Sequence, residues 1–428
     1  MKDYTCPTGP TFLDGVLLVA SAIPDAGLVF RGSTCVEERI RQTLRPHTRG
    51  GNLDATSGGG RLALTMDPYT VSVMGTEDRV EAAAEQLAAR AGIKLILLAS
   101  LSRYTLTGEK LEPLARTLGA RFPEADVQAL STRSLTRDHG DAFRAFYNGT
   151  ATRLIARGLG TSTANTVGLI GYPWTRDSGD CRGDIAELRR LVEALGLTWA
   201  GALLDGRPSA AFREVAEAGT LVAFPDGAAA ATAIAGATGG DAMLSGVPVS
   251  LEDTGAWLLD LAGRTGRRAR AGAVIDAELR RVEALLDRVV HRGLMGRRAV
   301  VAATGEWLPG LVRCLQEDLG VVVTAALART RHRGFAEAWD APAELHLDTS
   351  VSTLNDAVDR ARSHGGLDLI IGSNWERNAL EAGHRSIPFV EFGYPQQQIF
   401  FLRSTPHLGY DGVLTWAERL LTAINARA

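Results

Sequence analysis

Residues 6–35 read CPTGPTFLDGVLLVASAIPDAGLVFRGSTC and hold two of the four cysteines of this 428-residue chain. Each of the two cysteines stands in a short turn of small residues. Between them an apolar run with helical spacing is followed by an apolar run, residues 27–30, with the composition of a strand. A helix and a strand placed so close together are typical of an α/β unit. The rest of the chain repeats this alternation.

Composition is that of a globular protein, with 45% hydrophobic and 22% charged residues. The length exceeds one ordinary core, so several domains are expected. A net charge of −3 and the absence of a basic run predict no nucleic-acid partner. No apolar run reaches the length of a membrane span, and the N-terminus lacks the pattern of a signal peptide. We therefore expect no membrane association, a cytoplasmic location and reduced cysteines.

Short runs rich in Val, Ile and Leu alternate with segments of helical period, which predicts parallel sheets with crossover helices. Strands are predicted at 27–30, 70–74, 94–99, 126–130, 166–172, 198–204, 220–224, 299–303, 321–325, 367–371 and 388–392. Helices are predicted at 76–91, 185–195 and 308–319, and a helix with a turn at 227–240. Helical pattern also dominates 254–294, where the arginine-rich TGRRARAG is interpreted as an exposed connection. The predicted fold class is α/β, with three tandem Rossmann-like domains at residues 1–164, 165–295 and 296–428.

Standard nucleotide-binding motifs are absent from the sequence. Neither GxGxxG after a strand nor GxxxxGK[ST] occurs, so no standard loop for a dinucleotide or ATP is present. Gly58-Gly59-Gly60 follows no predicted strand and is typical of a flexible loop. Among the eight scattered histidines, His407 in PHLGYDG is either a functional side chain or a partly exposed loop residue.

The cysteines are candidates for metal ligation or catalysis, although free cysteine is also among the most buried residue types. Cys35 follows a predicted strand and precedes a segment with helical pattern, where unpaired N–H groups favour a thiolate. Such donors also hydrogen-bond the sulfurs of an iron–sulfur cluster. Cys314 lies in the apolar stripe of a predicted helix, which indicates a core position. Cys181 lies in a polar stretch that we interpret as a loop, where an exposed thiol meets a partner or is incidental.

The chain resembles the nitrogenase component 1 superfamily, which includes nitrogenase subunits, cofactor-assembly scaffolds and the dark-operative protochlorophyllide and chlorophyllide reductases. Cys6 and Gly32-Ser33-Thr34-Cys35 are similar to that family's first two cysteines. Where the family has a third cysteine, this sequence has Ser102. The further landmarks are 73–75, similar to "VFGG"; 166–171, similar to "NxxG"; 368–373, similar to "DLLIGNS"; and 393–395, 403–405 and 408–412, similar to "GFP…RSTxLGYEG".

The resemblance implies three Rossmann-like domains, and the C-terminal landmarks are closer to the β-type half of the family. It implies that Cys6 and Cys35 ligate an interfacial iron–sulfur cluster, [4Fe-4S] or related, shared with an α-type homologous subunit in a heterotetramer. Ser102 supplies a further oxygen ligand, or it only caps a helix. No cysteine–histidine pair matches the α-type ligands of the large molybdenum–iron cofactor.

The function implied is electron relay from a separate ATP-dependent iron protein, through the cluster, to a substrate or a second metallocluster. The missing phosphate loop is consistent with ATP hydrolysis on that other polypeptide. Two alternatives stay open: a cofactor-assembly scaffold that holds a precursor, and a non-catalytic paralogue that has lost the cluster.

Overall fold

The computed structural model describes residues 10–32, 60–65, 77–101, 104, 110–131, 138–174, 178–330, 334–341, 343–347, 349–399 and 403–426. Three parallel sheets flanked by helices confirm the α/β fold class. The strands are β1 Ala26–Arg31, β2 Leu62–Leu64, β3 Leu95–Ser100, β4 Asp126–Ala129, β5 Thr163–Ile170, β6 Thr198–Ala202, β7 Ala218–Ala223, β8 Asp241–Leu244, β9 Arg298–Ala303, β10 Val322–Ala328, β11 Leu345–Leu347, β12 Leu369–Gly372 and β13 Phe389–Glu391.

The helices are α1 Phe12–Ser21, α2 Glu77–Ala88, α3 Leu111–Arg121, α4 His139–Ala156, α5 Ser178–Ala194, α6 Phe212–Ala216, α7 Ala228–Thr238, α8 Leu251–Arg264, α9 Arg268–Val289, α10 Leu308–Arg313, α11 Gly334–Glu337, α12 Val351–Ser363, α13 Asn374–Ala379 and α14 Gly409–Asn425. Helical turns of other types are formed by Ser209–Ala211, Pro225–Gly227, Val290–Leu294, Cys314–Asp318 and Ala382–His384. Among these described helices, none is both long and apolar enough to cross a membrane.

Contacts divide the chain into two compact units. One unit comprises residues 11–174 and 200–242 and contains the sheet β2-β1-β3-β4 and most of the sheet β6-β5-β7-β8. The other comprises residues 1–10, 175–199 and 243–428 and contains the sheet β11-β10-β9-β12-β13. The domain boundaries that we expect after residues 164 and 295 stay predictions.

The N-terminal sheet forms because its two central strands are apolar on both faces. Every residue of β1 and β3 is buried, as expected for parallel strands covered by helices on each side. Val29 and Leu98 share a core with Leu87 of α2 and Leu118 of α3. The predictions for β1, β3 and β4 are confirmed, whereas the strand predicted at 70–74 lies outside the described residues.

Helix α1 is buried along almost its whole length, from Phe12 to Ala20. It packs against α4 so closely that a Cβ at Gly15 would lie 2.4 Å from the His139 carbonyl oxygen. Glycine is therefore required sterically at this helix crossing. Helix α1 is therefore an integral element of the core rather than a surface arm.

Three strands were not expected from the sequence: β2, β8 and β11. Each has three or four residues and at most one buried side chain, too short for a recognisable strand pattern. β2 and β11 pair in parallel with a strand that was predicted, as in the register Leu28↔Leu62 and the register Ala326↔Leu345. Edge pairing decides these strands, and edge pairing is a tertiary property.

The helix expected at 308–319 is an α-helix only as far as Arg313. It continues as one π-helical turn, Cys314–Asp318. Cys314 is fully buried, which confirms its predicted core position. Burial raises the pKa of Asp318 to about 7, although its carboxylate accepts a hydrogen bond from the Leu251 N–H at 2.9 Å.

Asp318 makes stability depend on pH. Its pKa is higher in the folded chain than the ordinary value, so between about pH 4 and pH 7 the folded state binds more protons than the unfolded state. The free energy of unfolding is therefore expected to fall as pH rises through this window. Asp318→Asn should flatten that slope and raise the free energy of unfolding above pH 7 by up to roughly 4 kcal/mol.

Denaturant titrations between pH 4 and pH 8 test this expectation. Asp287→Asn removes a carboxylate whose side chain is 75% exposed and serves as the control that leaves the slope unchanged. Equal slopes in wild type and Asp318→Asn would show that Asp318 ionises normally in the folded chain.

Candidate functional site

Each of the three sheets has a point at which successive connections leave in opposite directions. In the N-terminal sheet this point lies between β1 and β3, in the second sheet between β5 and β7, and in the C-terminal sheet between β9 and β12. Ligands of open α/β sheets bind outside the carboxyl ends of the strands at such a switch point. The three edges are therefore the candidate positions for a ligand.

At the second sheet the two strand ends meet backbone to backbone. Gly171 follows β5 with a φ of 92°, and a Cβ there would lie 2.5 Å from the Phe224 carbonyl oxygen. A Cβ at Gly227 would lie equally close to the Gly171 nitrogen. Such contact leaves no room for a ligand between the two strand ends.

At the C-terminal sheet an ion pair fills the switch point. Arg329 follows β10 and donates from Nε and Nη2 to the two carboxylate oxygens of Glu376, at 2.9 and 2.8 Å. Both side chains are completely buried. The Arg329 Nη2 also donates to the carbonyl oxygen of Ala302 in β9 at 3.0 Å. The arginine thus covers the end of β9 and reaches the helix that follows β12.

At the N-terminal sheet the two strand ends lie side by side in register. Arg31 is opposite Ser100, and the Leu101 N–H donates to the Arg31 carbonyl oxygen at 3.2 Å. On the other side of β1, the Gly32 N–H donates to the Thr65 hydroxyl beyond β2 at 3.3 Å. This edge, which we call the β1–β3 edge, is the candidate site.

Two of the residues predicted as ligands follow this edge directly in sequence. Cys35 comes after Arg31 through Gly32-Ser33-Thr34, and Ser102 comes after Ser100 through Leu101. Cys35, Ser102 and the third predicted ligand, Cys6, lie outside the described residues. Among the described residues, no group of three or more His, Cys, Asp or Glu side chains could hold a metal ion. A metal at the β1–β3 edge would therefore need ligands from residues other than the described ones or from a partner chain.

A buried, positively charged side chain, that of Arg31, lies at the β1–β3 edge. The Arg31 guanidinium lies 4.2 Å from the centroid of the Tyr104 ring, and the two residues are 5% and 2% exposed. The Tyr104 N–H donates to the Leu101 carbonyl oxygen at 3.1 Å, and these two residues flank Ser102 in sequence. A positive charge suits a group of net negative charge, such as an iron–sulfur cluster with thiolate ligands. The described residues therefore fit such a group electrostatically.

Acidic and basic groups tie the N-terminus of α4 to the second sheet within the same unit. Thr11 pairs with Asp138, and Asp138 and Asp141 form the capping box of α4. Arg144 donates to Asp226, beyond β7, at 2.5 Å and to Asp141 at 3.0 Å. Burial alone would lower the pKa of the Arg144 guanidinium, but Asp226, Asp141 and Asp138 raise it. This network holds the α1–α4 end of the unit together.

The structure corrects the prediction for Cys181. The stretch interpreted as a polar loop is the first turn of α5, and Cys181 is fully buried there rather than exposed. Its neighbours Asp180 and Asp184 are also fully buried. The hydrogen-bond partners of these two aspartates come from residues far along the chain: Gln396 donates to Asp180 at 3.2 Å, and the His407 N–H donates to Asp184 at 2.5 Å.

His407 is not a partly exposed loop residue, since it has no exposed surface. Its ring packs against those of Trp416 and Phe392, with centroids at 5.3 and 5.6 Å, and those two rings are 4.7 Å from each other. Because the Arg419 guanidinium donates to Nε2, the proton of a neutral ring is on Nδ1, which lies 3.9 Å from Asp180. Within the motif at 403–412, His407 is therefore a buried polar contact between α5 and α14, whereas Arg403 and Ser404 are exposed.

The fold and the β1–β3 edge define an α/β protein with three parallel sheets whose candidate cofactor position follows β1 and β3. The family model of the nitrogenase component 1 type oxidoreductases matches residues 12–425. The chain therefore belongs to that family.

Solved structures with the same fold include nitrogenase Cp1 at pH 6.5, which is 16% identical to this chain with a TM-score of 0.78. That match covers 100% of this chain and 94% of the other. Nitrogenase Cp1 at pH 5 is 13% identical with a TM-score of 0.74, covering 99% of this chain and 89% of the other. Comparison with curated proteins gives no match. At these identities the likeness concerns the fold alone.

Proposed function

We propose that this chain is a subunit of a nitrogenase-like oxidoreductase complex. In it Cys6 and Cys35 bind an iron–sulfur cluster, [4Fe-4S] or related, at an interface with an α-type homologous subunit. A separate ATP-dependent iron protein delivers electrons, which reach a substrate or a second metallocluster. The complex is a cytoplasmic heterotetramer.

The observation that carries the proposal is the β1–β3 edge. Two parallel strands end in register at the switch point of their sheet, and the chain continues from them to Cys35 and Ser102. At the other two switch points, among the described residues, backbone contact or a buried ion pair occupies the corresponding space. Family membership adds the kind of chemistry, since an iron–sulfur cluster supplies one-electron storage when bound.

The test is the metal content of the complex purified without oxygen. The chain is co-expressed with a candidate homologous subunit, and iron and acid-labile sulfide are measured per complex. Cys35→Ala and Cys6→Ala are each expected to reduce both at least about 10-fold, because each removes a thiolate ligand. Cys314→Ala removes a buried thiol between β9 and β10 of the C-terminal sheet in sequence. It is the control that should keep the wild-type contents of iron and sulfide.

Ser102→Ala separates the two interpretations of that residue. Loss of iron would identify the hydroxyl oxygen as a ligand, whereas full iron content with a lower unfolding temperature would identify a capping serine. Either result is compatible with thiolate ligation by Cys35.

The two alternative functions, scaffold and non-catalytic paralogue, predict different results for the same preparations. A complex that contains iron and sulfide but shows no turnover with an iron protein and ATP is a cofactor-assembly scaffold. A wild-type complex without iron, in which the cysteine variants change nothing, is a non-catalytic paralogue, and that result would refute the proposal.

A further inference from the structure

We propose that the positive charge of Arg31 stabilises the reduced state of the group held at the β1–β3 edge. The inference rests on the proposed function, because it concerns the same cluster. Arg31 is not a ligand of the cluster, and its expected effect is on the reduction potential of the cluster.

The position of Arg31 is the first argument. It is the last residue of β1, opposite Ser100 on β3. Its guanidinium lies on the ring of Tyr104, beyond the carboxyl end of β3. The charge is therefore placed past both strands, on the side from which the chain runs to Cys35 and Ser102.

Burial is the second argument. Arg31 is 5% exposed and Tyr104 is 2% exposed, so water screens this charge little. Charges interact several times more strongly at the effective dielectric of a protein than in water. The ring face also attracts a guanidinium and keeps it in place.

The charge of Arg31 affects the reduction potential of the cluster. A cluster gains one negative charge when it accepts an electron, and net charge is one of the factors that set its potential. A fixed neighbouring cation lowers the energy of the reduced state more than that of the oxidised state. Without the charge, the same electron must come from a stronger reductant.

A second arginine of the same sheet is a natural control. Arg61 is 8% exposed, and its Nη1 donates to the carbonyl oxygens of Ala26 and Ile23, each at 2.6 Å. It lies at the start of β1, about 17 Å from the end of that strand at the rise of an extended chain. Neutralising Arg61 removes a buried charge of the same kind far from the β1–β3 edge.

The experiment is an electron paramagnetic resonance redox titration of the complex, purified anaerobically with its partner. Arg31→Gln is expected to lower the midpoint, so that at the wild-type midpoint the ratio of oxidised to reduced cluster rises about 10-fold, or 59 mV for one electron. Arg31→Lys, which keeps the charge, and Arg61→Gln should both stay near the wild-type midpoint.

Two results would overturn this inference without refuting the proposed function. One is an equal midpoint potential for Arg31→Gln and Arg61→Gln. The other is a midpoint potential that falls as much in Arg31→Lys as in Arg31→Gln. If Arg31→Gln loses its iron, Arg31→His is titrated at pH 6 and pH 8.5. The midpoint of that variant must then rise at the lower pH by more than the midpoint of Arg61→Gln does. A wild-type complex without iron refutes the proposed function itself, and this is known before any variant is made.

Discussion

Glu376→Ala is expected to lower the free energy of unfolding by about 3–5 kcal/mol, because it leaves the Arg329 guanidinium charged, buried and uncompensated. Neither side chain of this pair has any exposed surface. Glu376 also accepts hydrogen bonds from the Ser373 N–H and hydroxyl at 2.8 and 2.7 Å, so the capping box of α13 loses the contribution of its glutamate as well.

A paired replacement separates the cost of an orphaned charge from the value of the ion pair. Arg329→Met combined with Glu376→Leu removes both charges and should cost less than Glu376→Ala alone, since apolar replacements of buried pairs are often neutral. Glu193→Ala breaks the exposed Arg189 pair, with side chains 60% and 46% exposed, and should cost less than about 1 kcal/mol. Denaturant unfolding measures all three, and similar losses for the two single variants would contradict the argument.

Gly171→Ala is expected to cost roughly 2–5 kcal/mol, since left-handed backbone and overpacking both penalise the new methyl group. The φ of Gly171 is 92°, and its Cβ would lie 2.5 Å from one backbone atom and 2.6 Å from another. The neighbours are main-chain atoms of Phe224 and Gly227, which cannot move without displacing the start of α7.

Gly158→Ala is the matched control. Gly158 has a φ of 74°, and nothing lies within 4 Å of its Cβ position. This variant bears only the backbone penalty of about 1–2 kcal/mol. Equal unfolding free energies for the two variants would show that the ends of β5 and β7 separate readily.

Sequence alone was sufficient where the pattern is local. The fully buried strands β1 and β3 are apolar at every central position, so composition locates them to within a residue. The core position of Cys314 follows from helical spacing in the same way. The resemblance seen in short sequence motifs is confirmed for the family as a whole, whose model matches residues 12–425.

Sequence failed where a residue's environment comes from a distant segment. Asp180, Cys181 and Asp184 form a polar stretch, yet they are buried because Gln396 and His407 bind the carboxylates. A buried polar group is tolerated when it is hydrogen-bonded, and the partner here is far away in sequence. The edge strand β2 was missed for a related reason, since only its pairing with β1 defines it.

The stretch at 6–35 shows both cases. Its sequence determined a helix and a strand, with a cysteine among small residues on either side, because periodicity and composition are properties of neighbouring residues. Tertiary structure decided that β1 ends beside β3 and that Arg31 is buried on Tyr104. Elsewhere in the chain, it decided that the Arg329–Glu376 pair fills the switch point of the C-terminal sheet. The physical reason is that charge, burial and strand register depend on segments brought together only by folding.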